Sequence, residues 1–416
     1  MTKRNSIIII LLALAFIIGA LLYFYFSIGN APIQNPQNIT PAQGNIFGNS
    51  LNTTNVTPAT EEQNPVAGQV KNLPKLLQIY KNPTSGSVFF TNKNNQNVLR
   101  FISRSNGNAY EYLPVSETGE PTRITNTTIP KIQETIWSSD GDNLILRYLD
   151  SDTDNIVSFS GKIAVAGTSS APGSSGEITG SFLSPNIEQL VTNPKGDKSF
   201  GLFEKNGRSG SYGITYSFGD NSKKQIFDSP ISLWNISWPK ENTITFTTKP
   251  SSGYLGYLFF FDTQTGVMDR ILGDVPGLST LTNSDASLVA YSKSEADGSF
   301  SLRAYDVKSK TNKDFKMLTL SDKCVWGVKN ADTLYCAIPK DIPAGSYPDD
   351  WYQGLTFFSD NIWMIDFKND LIKQVYEIGS NENAKIDAIN LKISNDDQYL
   401  TFSNKSDLSL WLLKIN

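Results

Sequence analysis

The two cysteines of this sequence, Cys324 and Cys336, lie close together in the segment KCVWGVKNADTLYCAIP. A metal site would need further Cys or His ligands, which the sequence lacks, and a redox pair is more typically spaced C-x-x-C. Both cysteines lie six residues from Asn330, so a three-residue turn at 329–331 would place them opposite each other in an antiparallel hairpin, within disulfide range. The spacing predicts a structural disulfide. The alternative is a pair of reduced core cysteines.

Histidine is absent from all 416 residues. Its absence excludes Ser-His-Asp and Cys-His nucleophile systems, histidine general bases and histidine metal sites. A reaction would have to use carboxylate, Ser, Lys or Tyr side chains, for example the paired carboxylates of glycosidases. Asp140, Asp366 and Glu377 are candidates, but no motif distinguishes them from other acidic residues. The sequence therefore predicts no catalytic residue and no cofactor, and it leaves the enzyme question open.

A long segment at 339–361 concentrates aromatic and acidic side chains. The candidate binding residues in it are Tyr347, Asp349, Asp350, Trp351 and Tyr352. Exposed aromatic rings beside carboxylates would form a protein interface or a platform on which sugars stack. The alternative is that Trp351 and Tyr352 only fold the loop back over the domain.

A second acidic stretch, LDSDTDN, places Asp150, Asp152 and Asp154 at alternate positions. Such oxygen clusters bind Ca²⁺ at the start of EF-hand loops. Here the sixth position is Asn155 and the twelfth is Gly161, so the turn glycine and the bidentate Glu are both missing. The stretch is a weak metal candidate, and a solvated hairpin tip is the favoured interpretation.

The elements that must position these residues are short strands in a repeated unit. An aromatic or β-branched residue, a polar turn and a β-rich strand recur seven times, 43 to 67 residues apart. The units start at Phe90, Trp137, Thr192, Trp238, Leu281, Trp326 and Ile393. This period with several short strands is typical of a β-propeller, so we predict an all-β, seven-bladed propeller over residues 73–416. Two β-sandwiches are the alternative.

The last unit ends after its third strand, LSLWLLKIN. The segment LPKLLQIYK at 73–81, just before the first unit, is predicted to supply the missing fourth strand. Closing the ring with this strand would remove exposed sheet edges.

The turn WSSDG at 137–141 resembles the W-S-P-D-G-like turn in blades of TolB-type and WD-repeat-like propellers. The segments NTTIPKIQETIW (126–137), LRYLD (146–150), KCVW with LYCAIP, and YPDDWYQGLTFFSDNIW (347–363) are also similar to membrane-anchored bacterial propellers. The resemblance implies a propeller fold and a location in the cell envelope. It implies no reaction.

Residues 6–28, SIIIILLALAFIIGALLYFYFSI, carry no charge and are long enough for a transmembrane helix. Lys3 and Arg4 precede them, so the positive-inside rule places residues 1–5 in the cytoplasm and the propeller outside. A cleaved signal peptide is the alternative. Residues 29–72, rich in Asn, Pro, Thr and Gln, predict a flexible, disordered linker.

The formal net charge is −4, without a basic stripe, which argues against nucleic acid as a partner. We therefore expect a membrane-anchored, extracytoplasmic and non-enzymatic binding or scaffolding module. Its expected partner is a protein or a polysaccharide of the envelope. The competing hypothesis is a glycan-active hydrolase with carboxylates in the central channel.

Overall fold

The computed structural model describes residues 74–114, 119–151, 153, 155–164, 176–205, 209–218, 222–379 and 385–415. Within them, 28 strands form seven four-stranded antiparallel sheets. The predicted seven-bladed propeller is therefore confirmed. No helix in these ranges is long and apolar enough to cross a membrane. The segments predicted as the anchor (6–28) and the linker (29–72) lie outside the described residues.

The strands follow in chain order. The first, β1 (Leu76–Tyr80), precedes blade 1, which contains β2 (Thr84–Thr91), β3 (Asn97–Ser103), β4 (Ala109–Tyr112) and β5 (Thr122–Arg123). Blade 2 contains β6 (Ile132–Trp137), β7 (Asn143–Leu149), β8 (Ile156–Ala164) and β9 (Glu177–Phe182). Blade 3 contains β10 (Ile187–Thr192), β11 (Lys198–Glu204), β12 (Ser211–Ser217) and β13 (Lys223–Ser229). Blade 4 contains β14 (Trp234–Lys240), β15 (Thr243–Thr248), β16 (Leu255–Asp262) and β17 (Met268–Pro276).

Blade 5 contains β18 (Ser279–Thr282), β19 (Leu288–Ser294), β20 (Phe300–Asp306) and β21 (Thr311–Met317). A 3-10 turn (Ser321–Lys323) leads to blade 6, with β22 (Cys324–Trp326), β23 (Thr333–Pro339), the short helix α1 (Asp349–Tyr352), β24 (Asp360–Asp366) and β25 (Leu371–Tyr376). Blade 7 contains β26 (Ala388–Ile393), β27 (Tyr399–Asn404) and β28 (Leu410–Lys414).

Blade 7 is completed by β1, in the sheet order β26-β27-β28-β1. Leu76 pairs with Leu413 and Leu77 with Leu412. The predicted closure by an N-terminal strand is confirmed, and β28 does not remain an open edge.

The second strand of each blade is buried on both sides because neighbouring blades cover both faces of the sheet. This explains its almost continuous apolar sequence, such as NVLRFIS in β3 and NLILRYL in β7. The outermost strands are exposed and more polar, such as KKQIFDS in β13. The hydrophobic core is consequently a series of clusters between adjacent blades. One of them, with Trp234 and Phe246 of blade 4 and Phe200 of blade 3, is densely aromatic.

The repeated turn between the first two strands has a common cap. A Ser or Asn follows the first strand, and its side-chain oxygen accepts the N–H of the residue five positions later. The four pairs are Ser138 with Asn143 (3.0 Å), Asn193 with Lys198 (2.9 Å), Asn283 with Leu288 (3.0 Å) and Ser394 with Tyr399 (3.0 Å). These side chains satisfy turn N–H groups that the sheet leaves unpaired.

Strands alternate in direction, so the connections of each blade lie at two ends. The loops between second and third strands and the connections between blades share one end, which we call the loop face. The turns between first and second and between third and fourth strands share the other, which we call the turn face.

Candidate functional site

The longest described connection, residues 340–359 between β23 and β24, lies on the loop face and includes α1. Its contacts extend over three other blades. Asp349 Oδ2 accepts the N–H of Ser252 in blade 4 (2.6 Å), and the carbonyl of Tyr347 accepts the hydroxyl of Ser294 in blade 5 (2.6 Å). Lys405 of blade 7 donates to the carbonyl of Trp351. The blade 6 loop therefore spans the loop face from blade 4 to blade 7.

Two of the predicted binding aromatics are buried beneath this loop. Tyr347 is 1% and Trp351 is 5% exposed, and both pack with Phe300, Leu320 and Phe358. The expectation that these two rings are exposed is wrong, because the loop folds back over blade 5 and places them in its interior. Tyr352 is 39% exposed. The binding role of the loop stays a prediction. Tyr347 and Trp351 belong to the buried cluster that supports the loop from inside.

Beneath the loop lies a fully buried ionic cluster. Lys323 Nζ is 2.8 Å from Asp360 Oδ2 and also contacts Asp387, and none of the three side chains is exposed by more than 2%. Asp387 Oδ2 accepts the indole N–H of Trp351 (2.9 Å) and the backbone N–H of Phe358 (3.0 Å). One carboxylate thus joins the cation to the middle of the loop and to its C-terminal end.

The cluster carries one more carboxylate than cations. Burial raises the pKa of Asp360, and the charge of Asp387 raises it further, while the Lys323 ammonium opposes this shift. Asp360 Oδ2 also accepts the Ala388 N–H (2.7 Å), but its Oδ1 has no hydrogen-bond partner among the described residues. Removing one member of such a cluster leaves an uncompensated buried charge.

Tyr352 is tied to the inter-blade connection beside this cluster. Its hydroxyl donates to Asp322 Oδ2 (2.9 Å). Water reaches Asp322, but protein surrounds it on most sides, and this desolvation raises its pKa. Desolvation, followed by the charge of Asp322, raises the pKa of Tyr352 well above its ordinary value. The phenol therefore stays protonated and holds the loop as a hydrogen-bond donor.

The two acidic residues of the loop stabilise its conformation. Asp350 Oδ2 accepts the N–H of Ser346 (2.8 Å), four residues earlier. Asp349 makes the contact to Ser252, and its pKa is lowered by this and further hydrogen bonds, against the opposing effect of burial. Neither carboxylate is fully exposed. Both carboxylates therefore stabilise the loop by accepting backbone N–H groups, whatever their role in binding.

Large exposed hydrophobic side chains are concentrated on the loop face. Of the thirteen among the described residues, nine lie there: Phe182, Ile231, Leu233, Tyr254, Leu255, Leu318, Tyr352, Leu355 and Phe357. Leu355 is 71% and Phe357 is 51% exposed, and both belong to the blade 6 loop. Neither was among the predicted binding residues, although the apolar run GLTFF begins two residues after Tyr352. The turn face carries Val267, Val328, Leu371 and Ile372.

The weak calcium candidate lies in the β7–β8 loop. Asp150 Oδ1 accepts the N–H and the hydroxyl of Thr153, both at 2.9 Å, as in an ordinary turn. Asp152 and Asp154 lie outside the described residues. Across the ranges that are described, no group of three or more acidic or Cys side chains is arranged to hold a metal ion. The calcium hypothesis remains a prediction.

The three carboxylates considered for catalysis lie apart. Asp140 is in the β6–β7 turn of blade 2, where it accepts the Asp142 N–H at 2.9 Å. Asp366 caps the β24–β25 turn by accepting the Asn369 N–H at 2.9 Å. Glu377 follows β25 at its other end, and a six-residue strand is about 20 Å long. Asp366 and Glu377 therefore lie too far apart for the paired chemistry of a glycosidase, which needs carboxyls within about 10 Å.

The cysteine prediction is confirmed. Cys324 on β22 and Cys336 on β23 are directly paired across the hairpin and form a disulfide, with Cα atoms 4.0 Å apart. The connection between the strands is longer than the expected three residues, because β22 ends at Trp326 and β23 begins at Thr333. It is centred near Asn330 as predicted, so the register is the same. Cys336 lies three residues before the end of β23, which leads directly into the blade 6 loop.

Comparison with solved structures places this chain among β-propellers. The β-propeller domain of the Trilobed protease from Pyrococcus furiosus has a TM-score of 0.51 at 11% identity, over 80% of this chain and 95% of that chain. The tricorn protease has a TM-score of 0.50 at 10% identity, over 84% of this chain and 35% of that chain. TolB from Acinetobacter baumannii has a TM-score of 0.41 at 11% identity, over 69% of this chain and 62% of that chain. No protein family and no curated protein matches the sequence.

At these identities the likeness is one of fold alone. Together with the seven blades, it confirms the predicted propeller fold. The Trilobed protease domain is described as having an open Velcro topology. In the present chain, β1 pairs with β28 and closes the ring.

Proposed function

We propose that this protein is a non-enzymatic binding or scaffolding module of the cell envelope, with the loop face as its binding surface. The observation that carries the proposal is that nine of the thirteen large exposed hydrophobic residues in the described part of the chain lie on that face. Single exposed hydrophobic residues are ordinary, but their accumulation on one side of a soluble ring is typical of a binding surface.

The composition of the surface favours a protein partner over a polysaccharide. Sugar stacking uses exposed aromatic faces, whereas Trp351 is buried and aliphatic side chains form the majority of the nine exposed residues: Ile231, Leu233, Leu255, Leu318 and Leu355. Aliphatic and aromatic side chains that lose water on contact supply much of the energy of protein interfaces. The buried cluster beneath the loop supports the proposal further, because it holds these side chains on a rigid base.

The proposed location rests on the sequence and on the disulfide. The uncharged segment 6–28 behind Lys3 and Arg4 predicts an anchor with the propeller on the outer side. Disulfides persist in oxidising compartments, so the Cys324–Cys336 pair agrees with an extracytoplasmic propeller. Membrane attachment places the binding surface near envelope components. A test is protease treatment of intact cells, in which the propeller is degraded only if it is outside.

The decisive experiment replaces exposed side chains and leaves the supporting residues intact. A photoreactive amino acid at Tyr254, on the same face, in the otherwise wild-type full-length protein in native membranes is expected to form discrete cross-linked products. The double variant Leu355→Asp with Phe357→Asp, probed from Tyr254, is expected to lose most of them, since charges are costly in a desolvated interface. The matched control is Val267→Asp with Leu371→Asp on the turn face, which is expected to retain them.

Two outcomes would overturn the proposal. One is an identical set of products in wild type and in the loop-face variant. The other is equal loss in the loop-face and turn-face variants, which would indicate a general effect of added charge. Thermal unfolding of both variants shows whether the fold is retained, and exposed substitutions of this kind are expected to change stability by less than about 0.5 kcal/mol.

A further inference from the structure

A polar cleft between blades 3 and 4 opens on the turn face, opposite the proposed binding surface. It has a volume of about 420 Å³. Its lining residues include Lys198, Lys223 and Lys224, with Glu241 as the carboxylate among them. The cleft therefore carries an excess of two positive charges on a protein whose net charge is −4. A local field of the opposite sign from the whole molecule attracts anions to that place.

Strand register explains why Lys198 and Lys224 point into one space, whereas Lys223, one position before Lys224, starts from the other side of the sheet at the end of β13. Lys198 on β11 is paired with Ser217 on β12, and Thr215 on β12 is paired with Lys224 on β13. Directly paired residues and residues two apart on a strand lie on the same side of a sheet. These side chains therefore share the side of blade 3 that faces blade 4. Deeper on the same side, Phe200 packs against Phe246 of blade 4.

The cleft is thus the polar end of an otherwise aromatic interface between blades. Trp238 closes it from blade 4, where the indole N–H donates to the Glu241 carbonyl at 3.0 Å. The side chains of Asn242 and Gln264 line the same opening. Ammonium, hydroxyl and amide groups are all hydrogen-bond donors to an anion.

Lysines at sheet edges often only prevent edge-to-edge pairing. That explanation applies to Lys223 and Lys224, which lie on the outermost strand β13. It does not apply to Lys198, which lies on the second strand β11, inside the sheet. In addition, no salt bridge within the described ranges involves any of the three lysines. Glu241 offsets one of the three lysine charges in the cleft, and a bound anion would neutralise the remaining excess.

We propose that the blade 3–4 cleft binds a phosphate group. Lysine is a point charge with three donors and serves widely as a phosphate ligand, and the hydroxyls of Thr215 and Ser217 add polar contacts beside it. The phosphate comes either from a phosphate-bearing polymer of the envelope or from the free anion. This site is independent of the loop face, so either proposal can fail without the other.

The test measures binding of inorganic phosphate and of linear polyphosphate to the folded protein by calorimetry. The variant Lys223→Glu with Lys224→Glu is expected to weaken polyphosphate binding by at least about tenfold, because two attractive charges become repulsive. The matched control is Lys308→Glu with Lys310→Glu, which changes two exposed lysines in the corresponding turn of blade 5. Its affinity is expected to stay within about twofold of wild type, since distant surface charges are screened by salt.

The ligands distinguish the sources. Tighter binding of polyphosphate than of inorganic phosphate supports a polymer, and equal binding supports the free anion. Absence of binding for both ligands, or the same loss of affinity in the two variants, would refute the site. The loop-face variant Leu355→Asp with Phe357→Asp is expected to keep wild-type phosphate binding, which separates this result from the proposal for the loop face.

Discussion

Two groups of acidic side chains, one beneath the blade 6 loop and one in the turns of the turn face, behave in opposite ways. On the loop face, full burial raises the pKa of Asp360, and the surrounding protein raises that of Asp322 by desolvation although water reaches this side chain. On the turn face, hydrogen bonds from Ser309 lower the pKa of Asp306, and hydrogen bonds from Asn369 lower that of Asp366. Beneath the irregular blade 6 loop, the desolvation of these carboxylates opposes folding, but their contacts hold the loop in place. On the turn face, the carboxylates accept local hydrogen bonds from turn residues and stay solvated.

The difference shows how a regular scaffold can carry one specialised surface. The turn face depends largely on caps within five or six residues, four of which are repeated from blade to blade. The blade 6 turn has a longer contact as well, because the Asp397 carboxylate of blade 7 accepts the N–H groups of Val328, Lys329 and Asn330. The loop face depends on a few side chains from different blades, and losing one of them should affect the whole loop. The following predictions test this contrast, starting with the largest effect.

The change Lys323→Met should have the largest effect, because it leaves two buried carboxylates without a counter-ion. We expect the free energy of unfolding to fall by about 3–5 kcal/mol, as for other broken buried ion pairs. Urea denaturation measures this, and Lys308→Met, at an exposed position, should stay within about 0.5 kcal/mol of wild type. The double variant Lys323→Met with Asp360→Asn should recover part of the loss. A loss below about 1 kcal/mol for Lys323→Met would contradict the supporting role of the cluster.

Removing the disulfide should have the next largest effect. Cys324→Ser with Cys336→Ser is expected to lower the free energy of unfolding by about 2–3 kcal/mol, because a short closed loop no longer restricts the unfolded chain. Thiol titration of wild type in non-reducing denaturant should find no free thiol. Two free thiols there would refute the bridge in the protein as isolated.

Removing one turn cap should have a smaller and local effect. Asn283→Ala deletes the side chain that accepts the Leu288 N–H, and Asn193→Ala deletes its counterpart in blade 3. Each should cost about 1 kcal/mol, the usual net contribution of a hydrogen bond. Their effects should add when both are changed, since distant sites are independent. Strong non-additivity in denaturation experiments would mean that the turns are not separate units.

The smallest effect is the pH dependence of stability. Its slope should have one sign for Asp322 on the loop face and the opposite sign for Asp366 on the turn face. The raised pKa of Asp322 gives a stabilising contribution that is fully present below the ordinary Asp pKa of about 3.9 and is lost as the pH rises through the folded-state value. Asp322→Asn should remove this loss, so the variant should be more stable relative to wild type at neutral pH than at pH 3. Conversely, the lowered pKa of Asp366 stabilises above its unfolded value and loses that contribution as the pH falls through the folded value. Thermal unfolding of Asp322→Asn and Asp366→Asn across pH 3–8 checks both signs, and slopes of equal sign would contradict the contrast.

Features encoded over short distances were predictable from the sequence. The seven turns were found because each combines an aromatic or β-branched residue, a polar cap and a strand within about a dozen residues. The register of Cys324 and Cys336 followed from their symmetry about Asn330. Ring closure was predictable because the last repeat has three strands and an additional strand, now β1, precedes the first repeat.

The interior of the blade 6 loop was not predictable in the same way. Lys323 and Asp387 are 64 residues apart, and only the ring brings them together. Trp351 is buried because blades 5 and 7 contact the loop from both sides, and no local pattern distinguishes this from exposure. The exposed pair Leu355 and Phe357 could have been noticed as an apolar run. Their exposure, however, depends on which neighbouring rings occupy the interior.

The closure of blade 7 also sets an order of events during protein synthesis. Of the described strands, β1 leaves the ribosome first and its partner β28 last, so Leu76 must wait for Leu413 while all the other blades are made. Contacts between such distant segments form slowly, and unpaired strand edges promote aggregation in the meantime. A ribosome-bound chain that stops before β28 should therefore expose both ends of an unfinished ring to chaperones. Completion of a single strand should then convert it to a protease-resistant product.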